Sequence, residues 1–310
     1  MGKAELFLWR KSRKVLNRSE ARWGLILISP WLLGFLSLNF FPMLSSLFLS
    51  LNDYNLMSSP NFIGVRNYTD AILHNELFWK ALKVTGVYTI FIVPVNVGGT
   101  LLFALLLNQE IKGIKVYRTL FFLPSVIPLI ATVLLWLTIL NPVYGPVNYW
   151  LAKFGIAAPI WLSDSSWALS SIVFISLWAG LGGIGCMMFL AGLQSIPVNL
   201  YEVVEIDGGN AFHKFIHITL PMLSPTIFYM LIINIILSFQ NFALPYIATQ
   251  GGPSYATFFY GIYLYREAFS HFRMGYASAL AWILFAILVL ITYFQLKESK
   301  RWVYYEGEKK

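Results

Sequence analysis

Long stretches of the chain carry no charged side chain, and they determine the expected architecture. Six such windows hold at least 18 residues each. Crossing about 30 Å of hydrocarbon takes about 20 apolar residues in a helix, so each window is long enough for one membrane span. The apolar runs are continuous, whereas the strands of a membrane β-barrel alternate apolar and polar positions. The pattern predicts an all-α polytopic membrane protein with six transmembrane helices. The windows are Trp23–Asn52, Val84–Gln109, Thr119–Ala152, Ser165–Tyr201, Phe215–Tyr265 and Met274–Leu296.

The expected spans divide the chain into three regions. A basic cytoplasmic segment (residues 1–22) precedes a transmembrane domain (residues 23–298), and a cytoplasmic tail (residues 299–310) follows it. The long fifth window is expected to hold one span, because its apolar part fades near Ala248 and the remainder is too short to cross. Within the domain, residues 195–222 form an inner loop. The six spans are expected at about 23–49, 84–108, 119–140, 167–194, 223–247 and 275–297.

Composition and charge support this prediction. Of the residues, 58% are hydrophobic and only 12% are charged, whereas a soluble domain carries about 25% charged residues. With the N-terminus inside, 16 of the 22 Lys and Arg residues lie on the inner side and six on the outer side. This bias satisfies the positive-inside rule, so both termini are expected in the cytoplasm. The net charge of +8 then reflects topology and attraction to lipid headgroups, and nucleic acid is not expected as a partner.

The expected spans contain no Asp, Glu, Lys, Arg or His. Carriers coupled to protons or sodium ions usually keep an ionisable residue inside the bilayer, because a group there must bind the ion. Such carriers, and intramembrane hydrolases with a charged catalytic pair, are therefore disfavoured. Neutral polar residues are present, and they indicate either helix packing or a polar, uncharged pathway. The pathway hypothesis is best supported where Ser238, Gln240 and Asn241 lie within four positions. Other polar residues of the spans are Asn39, Asn96 and Asn234.

Neither catalysis nor metal binding is expected of this chain. It lacks the Gly-x-x-x-x-Gly-Lys-Ser/Thr spacing that cradles nucleotide phosphates, so any ATP that drives the protein must be bound by another subunit. His213 and His217 have the i, i+4 spacing of zinc ligands, but no Glu follows the first His and the nearby acids lie beyond a Gly-Gly break. The single Cys186 excludes an internal disulfide and has no base nearby in the sequence, so we expect it to pack in the interior.

The inner loop at residues 195–222 has clear helix boundaries. Pro197 suits the first turn of a helix, and Gly208 suits the position just after its last turn. Asn210 can cap a second helix, which Pro221 is expected to limit. The loop should therefore form two short helices that meet at a glycine turn.

Acidic residues also mark this loop, which is the only inner loop that is not basic. Glu202 and Glu205 lie three positions apart and share one face of the first expected helix. Acids at the inner surface suggest a specific protein partner rather than lipid headgroups. An ordinary solvated loop helix is the alternative interpretation.

The loop resembles the cytoplasmic loop of ABC-importer permeases. The pattern of that family is Glu-Ala-Ala, three residues, Gly, nine residues and then Ile-x-Leu-Pro. Here Glu202-Val203-Val204, Gly208 and Ile218-Thr219-Leu220-Pro221 fit the spacing without gaps, with valines in place of the two alanines. The carbohydrate branch, of maltose, multiple-sugar and glycerol-phosphate type, is the closest in pattern, and the resemblance covers nearly the whole chain. Further matches are Ala191–Pro197, Gly251-Gly252-Pro253 and Gly275–Ala281.

The resemblance implies a type I ABC-importer permease fold and a set of partners. In such importers two permease subunits, usually different in the sugar branch, form the pathway across a bacterial or archaeal cytoplasmic (inner) membrane. Two ATPase subunits bind ATP and Mg²⁺ in the cytoplasm, and a solute-binding protein delivers the sugar from outside. The inner loop then couples this chain to an ATPase subunit. The expected coupling residues are Glu202, Val203, Val204, Glu205, Asp207, Gly208, Ile218, Leu220 and Pro221.

The resemblance also suggests where a sugar would pass, because maltose-type members bind sugar on the helix after the coupling loop. Amides and hydroxyls suit a sugar, since each buried hydroxyl left unpaired costs about 1–3 kcal/mol. A sugar or oligosaccharide is thus the expected substrate. A glycerol-phosphate-like or other non-sugar solute is the first alternative, and an energy-independent facilitator is the second. The expected pathway residues are Ser125, Trp178, Gly182, Leu237, Ser238, Gln240 and Asn241.

Overall fold

The computed structural model describes residues 18–304, with side chains from residue 22 onward, and most of this segment is helical. The expected N-terminal segment (residues 1–22) lies almost entirely outside the described residues, as do the last six residues of the expected tail. The strands β1 (Asn52–Asp53) and β2 (Asn61–Phe62) form a short antiparallel ribbon. In chain order the helices are α1 (Arg18–Phe35), α2 (Phe41–Ser50), α3 (Arg66–His74), α4 (Glu76–Leu107), α5 (Ile114–Val126), α6 (Leu129–Ile139), α7 (Pro146–Lys153), α8 (Ala168–Gly180), α9 (Ile184–Ser195), α10 (Val198–Ile206), α11 (Ala211–Lys214), α12 (Leu220–Phe239), α13 (Ala243–Thr249), α14 (Tyr260–Tyr265) and α15 (Met274–Trp302).

Four continuous helical segments of the described chain are long and apolar enough to cross a membrane. Each has 29 or 32 residues, and at about 1.5 Å per residue each exceeds the ~30 Å thickness of the hydrocarbon core. They lie in the first, second, fifth and sixth charge-free windows. Their bounds are Arg22–Ser50, Glu76–Leu107, Ala211–Phe239 and Met274–Trp302.

The third and fourth windows each form two helices with a sharp bend between them. α5 and α6 meet at 95° next to Pro128, and α8 and α9 meet at 49° around Gly182. Proline disfavours a helical conformation of the residue before it, and Ile127 is extended with ψ 129°. The stretches 119–140 and 167–194 are therefore broken rather than straight. The described residues contain four spans, or up to six if each bent pair is one span; the count of six and the cytoplasmic position of both termini stay predictions.

Two of the long segments contain a π-helical turn just before an X-Pro pair. The turn Leu36–Phe40 precedes Pro42, and the turn Phe215–Thr219 precedes Pro221. A proline ring inside a helix clashes with the carbonyl four residues earlier, and a wider turn at this place gives the ring more room. The expectation that Pro221 limits the second helix of the inner loop is therefore wrong. That helix begins at Ala211, passes through Pro221 and continues to Phe239.

α4 lies at the centre of the bundle. It packs against α8, α9, α12 and α14. Its buried apolar side chains include Phe78, Ile92 and Val97, and buried Tyr88 and Thr89 lie among them. Because helices surround α4, polar side chains on its surface point at neighbouring helices. This arrangement creates a polar site between α4, α8 and α12.

Candidate functional site

A cavity of about 190 Å³ lies between α4, α8 and α12. The wall combines hydroxyl and amide groups with two aliphatic side chains, and no lining residue carries a charge. The lining residues are Tyr88, Ile92, Asn96, Ser176, Asn234, Leu237 and Ser238.

Tyr88 joins three parts of the chain at one end of this cavity. Its hydroxyl on α4 donates to Ser176 Oγ on α8 at 2.9 Å and accepts from Asn241 Nδ2 at 3.1 Å. At the next position of α4, Thr89 Oγ1 and Ser238 Oγ are hydrogen-bonded at 2.9 Å. These bonds hold α8 and the end of α12 against the centre of α4.

An asparagine pair links α4 and α12 deeper in the cavity. Asn96 Nδ2 donates to Asn234 Oδ1 at 2.9 Å, and Asn234 Nδ2 donates to the carbonyl of Met230 at 2.8 Å. Asn96 Oδ1 also accepts from Thr100 Oγ1 at 3.1 Å. An amide both donates and accepts, so this pair can exchange its partners for the hydroxyls of a bound molecule.

Helical spacing explains why these residues meet. Tyr88, Ile92 and Asn96 lie four positions apart and share one face of α4, and Asn234 and Ser238 do the same on α12. Tyr88 and Ser176 are not predicted from the sequence, and the two asparagines are predicted only as polar residues of the spans. Polar residues at i, i+4 mark Asn96 with Thr100 and Asn234 with Ser238, but this signal misses Tyr88, whose neighbour at i+4 is Ile92.

The structure brings together only part of the expected pathway. Leu237 and Ser238 line the cavity, and Asn241 contacts Tyr88 at its edge. Gln240 is exposed and is not part of the cavity wall. The polar cluster expected at 238–241 therefore contributes two of its three side chains to this site.

Ser125 and Gly182 lie together at a different place, where α5 packs on the break between α8 and α9. A Cβ atom on Gly182 would lie 1.8 Å from the carbonyl oxygen of Phe121, and one on the neighbouring Gly183 would lie 3.2 Å from Ser125 Cβ. Ser125 Oγ donates to the carbonyl of Phe122 at 2.7 Å. These residues form a close contact between backbones outside the cavity.

Trp178 also lies away from the cavity. It is two positions beyond Ser176, which turns it about 200° around the helix axis. Its ring packs edge-on against Trp136 of α6, with the ring centres 5.5 Å apart, and Phe174 packs on the same tryptophan at 4.9 Å. Trp178 therefore joins α8 to α6 and does not face Tyr88.

The inner loop folds into a compact projection, which we call the inner knob (residues 195–214). α10 ends at a glycine turn, where Gly208 has φ +78° and its amide donates to the carbonyl of Glu205 at 3.0 Å. Asn210 Oδ1 accepts from the amide of His213 at 3.0 Å and caps α11. The expected glycine stop and asparagine cap are confirmed.

Two side-chain contacts fix α10 to the helix that follows it. The Lys214 ammonium group pairs with the Glu205 carboxylate, and the hydroxyls of Tyr201 and Thr219 are hydrogen-bonded at 3.1 Å. Ile206 has 84% of its surface exposed at the tip of α10. Ile206 was not among the expected coupling residues; of those, Val204 and Pro221 are half-buried, Ile218 is buried, and the rest are exposed, namely Glu202, Val203, Glu205, Asp207, Gly208 and Leu220.

His213 of the knob and His217 just after it have their own contacts. Their rings stack with centres 5.9 Å apart. His213 Nδ1 lies 2.8 Å from Asn210 Oδ1, and His217 Nδ1 lies 3.1 Å from the carbonyl oxygen of His213. Within residues 18–304, no three His, Cys, Asp or Glu side chains are grouped as metal ligands would be. Cys186 is free and buried, as expected.

The sequence matches a family of transport proteins. The model of a family described as "Binding-protein-dependent transport system inner membrane component" matches residues 97–301. The probable ABC transporter permease protein YesP of Bacillus subtilis (strain 168) is 39% identical over 303 residues, which cover 96% of each chain. The trehalose/maltose transport system permease protein MalF of Thermococcus litoralis is 32% identical, with 92% of this chain and 96% of that protein covered.

Two further comparisons extend these findings. The sn-glycerol-3-phosphate transport system permease protein UgpA of Agrobacterium fabrum is 32% identical, covering 80% of this chain and 84% of that protein. Among solved structures, a chain of a bacterial alginate ABC transporter in complex with a periplasmic protein superposes with a TM-score of 0.82. The superposition covers 93% of this chain and 98% of that chain at 22% sequence identity, so it shows a shared fold.

Proposed function

Because this chain belongs to the family of binding-protein-dependent transport system inner membrane components, we propose that it forms half of the pathway of an ATP-driven importer for an uncharged carbohydrate. The chain is an ABC transporter permease and a multi-pass membrane protein. Our proposal concerns the substrate, the mechanical coupling of this chain to an ATPase subunit, and the number of partner subunits. The relative MalF carries trehalose/maltose in its name.

The observation that carries the substrate proposal is the uncharged polar cavity inside an apolar bundle. The cavity wall offers both hydrogen-bond donors and acceptors, from Tyr88, Asn96, Ser176 and Asn234. No lining residue carries a charge. A neutral molecule with many hydroxyls matches this chemistry, since each hydroxyl must find a partner on leaving water. Leu237 and Ile92 offer apolar surface to the C–H faces of a sugar ring.

The coupling proposal rests on the continuity of one helix. The helix that begins in the inner knob at Ala211 reaches Phe239 without a break, and Asn234 and Ser238 project from it into the cavity. The knob is tied to the start of this helix through Lys214 and Tyr201. A movement of the knob is therefore transmitted to the cavity along a single rigid element. Exposed Ile206 and Val203 offer an apolar surface to an ATPase subunit.

The proposed assembly contains two ATPase subunits and a second, homologous permease subunit in addition to this chain. ATP and Mg²⁺ bind to the ATPase subunits, and this chain supplies no catalytic residue. A solute-binding protein outside the cytoplasmic membrane delivers the sugar. Binding of ATP favours one of two conformations of the assembly, and its release favours the other.

The test replaces polar groups of the cavity and measures transport. A thermal-shift screen first identifies which sugar stabilises the solute-binding protein that co-purifies with this chain. We expect Tyr88→Phe and Asn241→Leu to lower uptake of that sugar into vesicles about tenfold each, the effect of about 1.4 kcal/mol. Each removes one polar group that faces the cavity or its edge. The ATPase subunits should still co-purify.

Gln109→Leu is the matched control, because Gln109 is an exposed amide in the turn after α4 and does not line the cavity. This variant should transport at the normal rate. Normal uptake by both Tyr88→Phe and Asn241→Leu would place the sugar pathway elsewhere.

A glycerol-phosphate-like solute is the second candidate, because the UgpA relative is named for that substrate. Binding of a phosphate normally requires a cation or several amide donors, and no lining residue of the cavity is cationic. Competition separates the candidates: excess sn-glycerol 3-phosphate should leave uptake of the sugar unchanged. Inhibition by the phosphate ester would favour the second candidate.

A further inference from the structure

The segment between α6 and α8 is rich in large apolar side chains, and many of them are exposed. Residues 141–163, which we call the interfacial segment, contain one charged side chain, Lys153. Seven of its large apolar side chains are more than half exposed, which is unusual for a loop in water. They are Val143, Tyr144, Tyr149, Trp150, Phe154, Ile156 and Ile160.

The fold holds one face of α7 inward within this segment. Asn148 is buried, and its Oδ1 accepts from Trp161 Nε1 at 2.5 Å. Its Nδ2 donates to the carbonyl of Pro142 at 3.3 Å. The turn before α7 is also closely packed, since a Cβ atom on Gly145 would lie 2.4 Å from the carbonyl oxygen of Asn141. The orientation of α7 is therefore fixed by polar contacts on its inner side.

The outward face of α7 is aromatic and cationic. Tyr149, Trp150 and Lys153 are spaced at i, i+1 and i+4 and share this face. The Lys153 ammonium group lies 4.7 Å from the centre of the Tyr149 ring and 4.8 Å from that of Trp150. Such a cation–π contact keeps the charge close to the rings while its remaining N–H groups stay free.

We propose that the interfacial segment lies in the headgroup layer of the bilayer and anchors the end of α6 there. Trp and Tyr are enriched at this depth of a membrane because their rings are apolar and their tips are polar. Lys153 would face lipid phosphates. The segment begins two residues after α6, whose Ile130 and Leu134 are also exposed, so its exposed apolar surface continues onto this helix.

This anchor would have a mechanical consequence. α6 is joined to α5 by a 95° bend and packs against α13 and α8. If its end is held at the headgroups, conformational changes move the other helices relative to a fixed point. The proposal does not depend on the identity of the transported solute.

Depth measurement with spin labels tests the proposal in the assembled transporter. Cys186, which is buried, is replaced by Ser, and a nitroxide is attached to Trp150→Cys in vesicles of phosphatidylcholine and phosphatidylglycerol. Ile130→Cys on α6 serves as the lipid-facing control, and Ser58→Cys in the exposed turn after β1 as the water-facing control. Collision rates with oxygen and with a water-soluble nickel chelate are then compared.

We expect the label at 150 to be about twofold more accessible to oxygen than the label at 58 and less accessible to the nickel chelate, because apolar oxygen favours lipid over water and the polar chelate stays in water. Nickel accessibility equal to that at position 58 would show a water-exposed loop and overturn the proposal. Low accessibility to both reagents would also overturn it, because a protein partner then covers the segment. If Trp150→Cys fails to assemble, Tyr149→Cys on the same face provides the same comparison.

Discussion

At the scale of single residues, every polar side chain of the cavity already has a partner within the chain. Asn96 pairs with Asn234, and Tyr88 pairs with Ser176 and Asn241. A bound sugar must replace these hydrogen bonds, each with a net value of about 0.5–1.5 kcal/mol. The exchange therefore costs little free energy in either direction. A transport site benefits from this balance, because the solute must leave as readily as it enters.

Among the glycines from Gly24 to Gly275, Gly182 has the least room for a side chain. A methyl group at this position would lie 1.8 Å from the carbonyl oxygen of Phe121, so the backbones of α5 and α8–α9 would have to separate. We expect Gly182→Ala to lower stability by roughly 1–3 kcal/mol or more through overpacking. The measurement is the temperature at which a thiol-reactive dye gains access to Cys186, the one cysteine of the chain.

Gly98→Ala is the control for this prediction. Gly98 lies within α4, and a Cβ atom there would meet no atom within 4 Å. This variant should keep or slightly raise the transition temperature, because alanine favours a helix by up to about 1 kcal/mol. Equal transition temperatures for Gly182→Ala and the parent chain would show that α5 and the α8–α9 break are not held as closely as the structure indicates.

At the scale of elements, prolines have different effects on the helices that contain them. Pro128 separates α5 from α6, whereas Pro94 lies inside the continuous α4. Pro42 and Pro221 each follow a π-helical turn, and their helices also continue. The continuous helix through Pro221 is the element that joins the inner knob to the cavity. In the proposed mechanism, this continuous helix carries a movement of the knob to the cavity.

The glycine turn of the inner knob gives a test of that coupling. Gly208 has φ +78°, which proline cannot adopt because its ring holds φ near −65°. We expect Gly208→Pro to leave the chain in the membrane while sugar uptake falls at least about tenfold relative to ATP hydrolysis, since the knob can no longer hold its shape. Uptake and hydrolysis are measured in the same vesicles.

The control for the turn is Gly64→Pro, which creates the same conflict at φ +62° in the segment before α3, away from the knob. That variant should keep the normal ratio of uptake to hydrolysis. A normal ratio in Gly208→Pro would instead mean that the knob does not couple this chain to an ATPase.

At the scale of the whole molecule, α4 organises the bundle. It contacts both helices of the α8–α9 pair, and α12 and α14 pack on it as well. The cavity is bounded by α4, α8 and α12, so its shape depends on how these three helices are arranged. A change in the angle between α12 and α4 would separate Asn96 from Asn234. The site can thus change its exposure without any change in secondary structure.

Uptake of the sugar by the complete assembly should depend on ATP. We expect the assembled transporter to accumulate the sugar in vesicles that contain ATP and to lose uptake to background with ADP in its place. The reason is that the two conformations exchange productively only when the nucleotide alters their relative stability. Equal, ATP-independent equilibration of the sugar across the membrane would indicate an energy-independent facilitator.

Much of this protein could be predicted from its sequence, because the relevant effects are local. A stretch of 18 or more residues without charge predicts an apolar helix wherever that helix packs. The reason is local, because each buried charge costs free energy by itself. The glycine turn at 208 and the cap at Asn210 likewise depend only on neighbouring residues. The spacing from Glu202 to Pro221 identified the family, and the match over residues 97–301 agrees with it.

Only the tertiary structure decided which residues share a site. Asn96 and Asn234 are 138 positions apart, and their contact depends on how far each helix is rotated about its axis. The rotation of α8 about its axis likewise places Ser176 at the cavity and Trp178 against Trp136, although Ser176 and Trp178 are only two positions apart. Such outcomes depend on contacts between distant segments, which residue type and spacing alone do not specify.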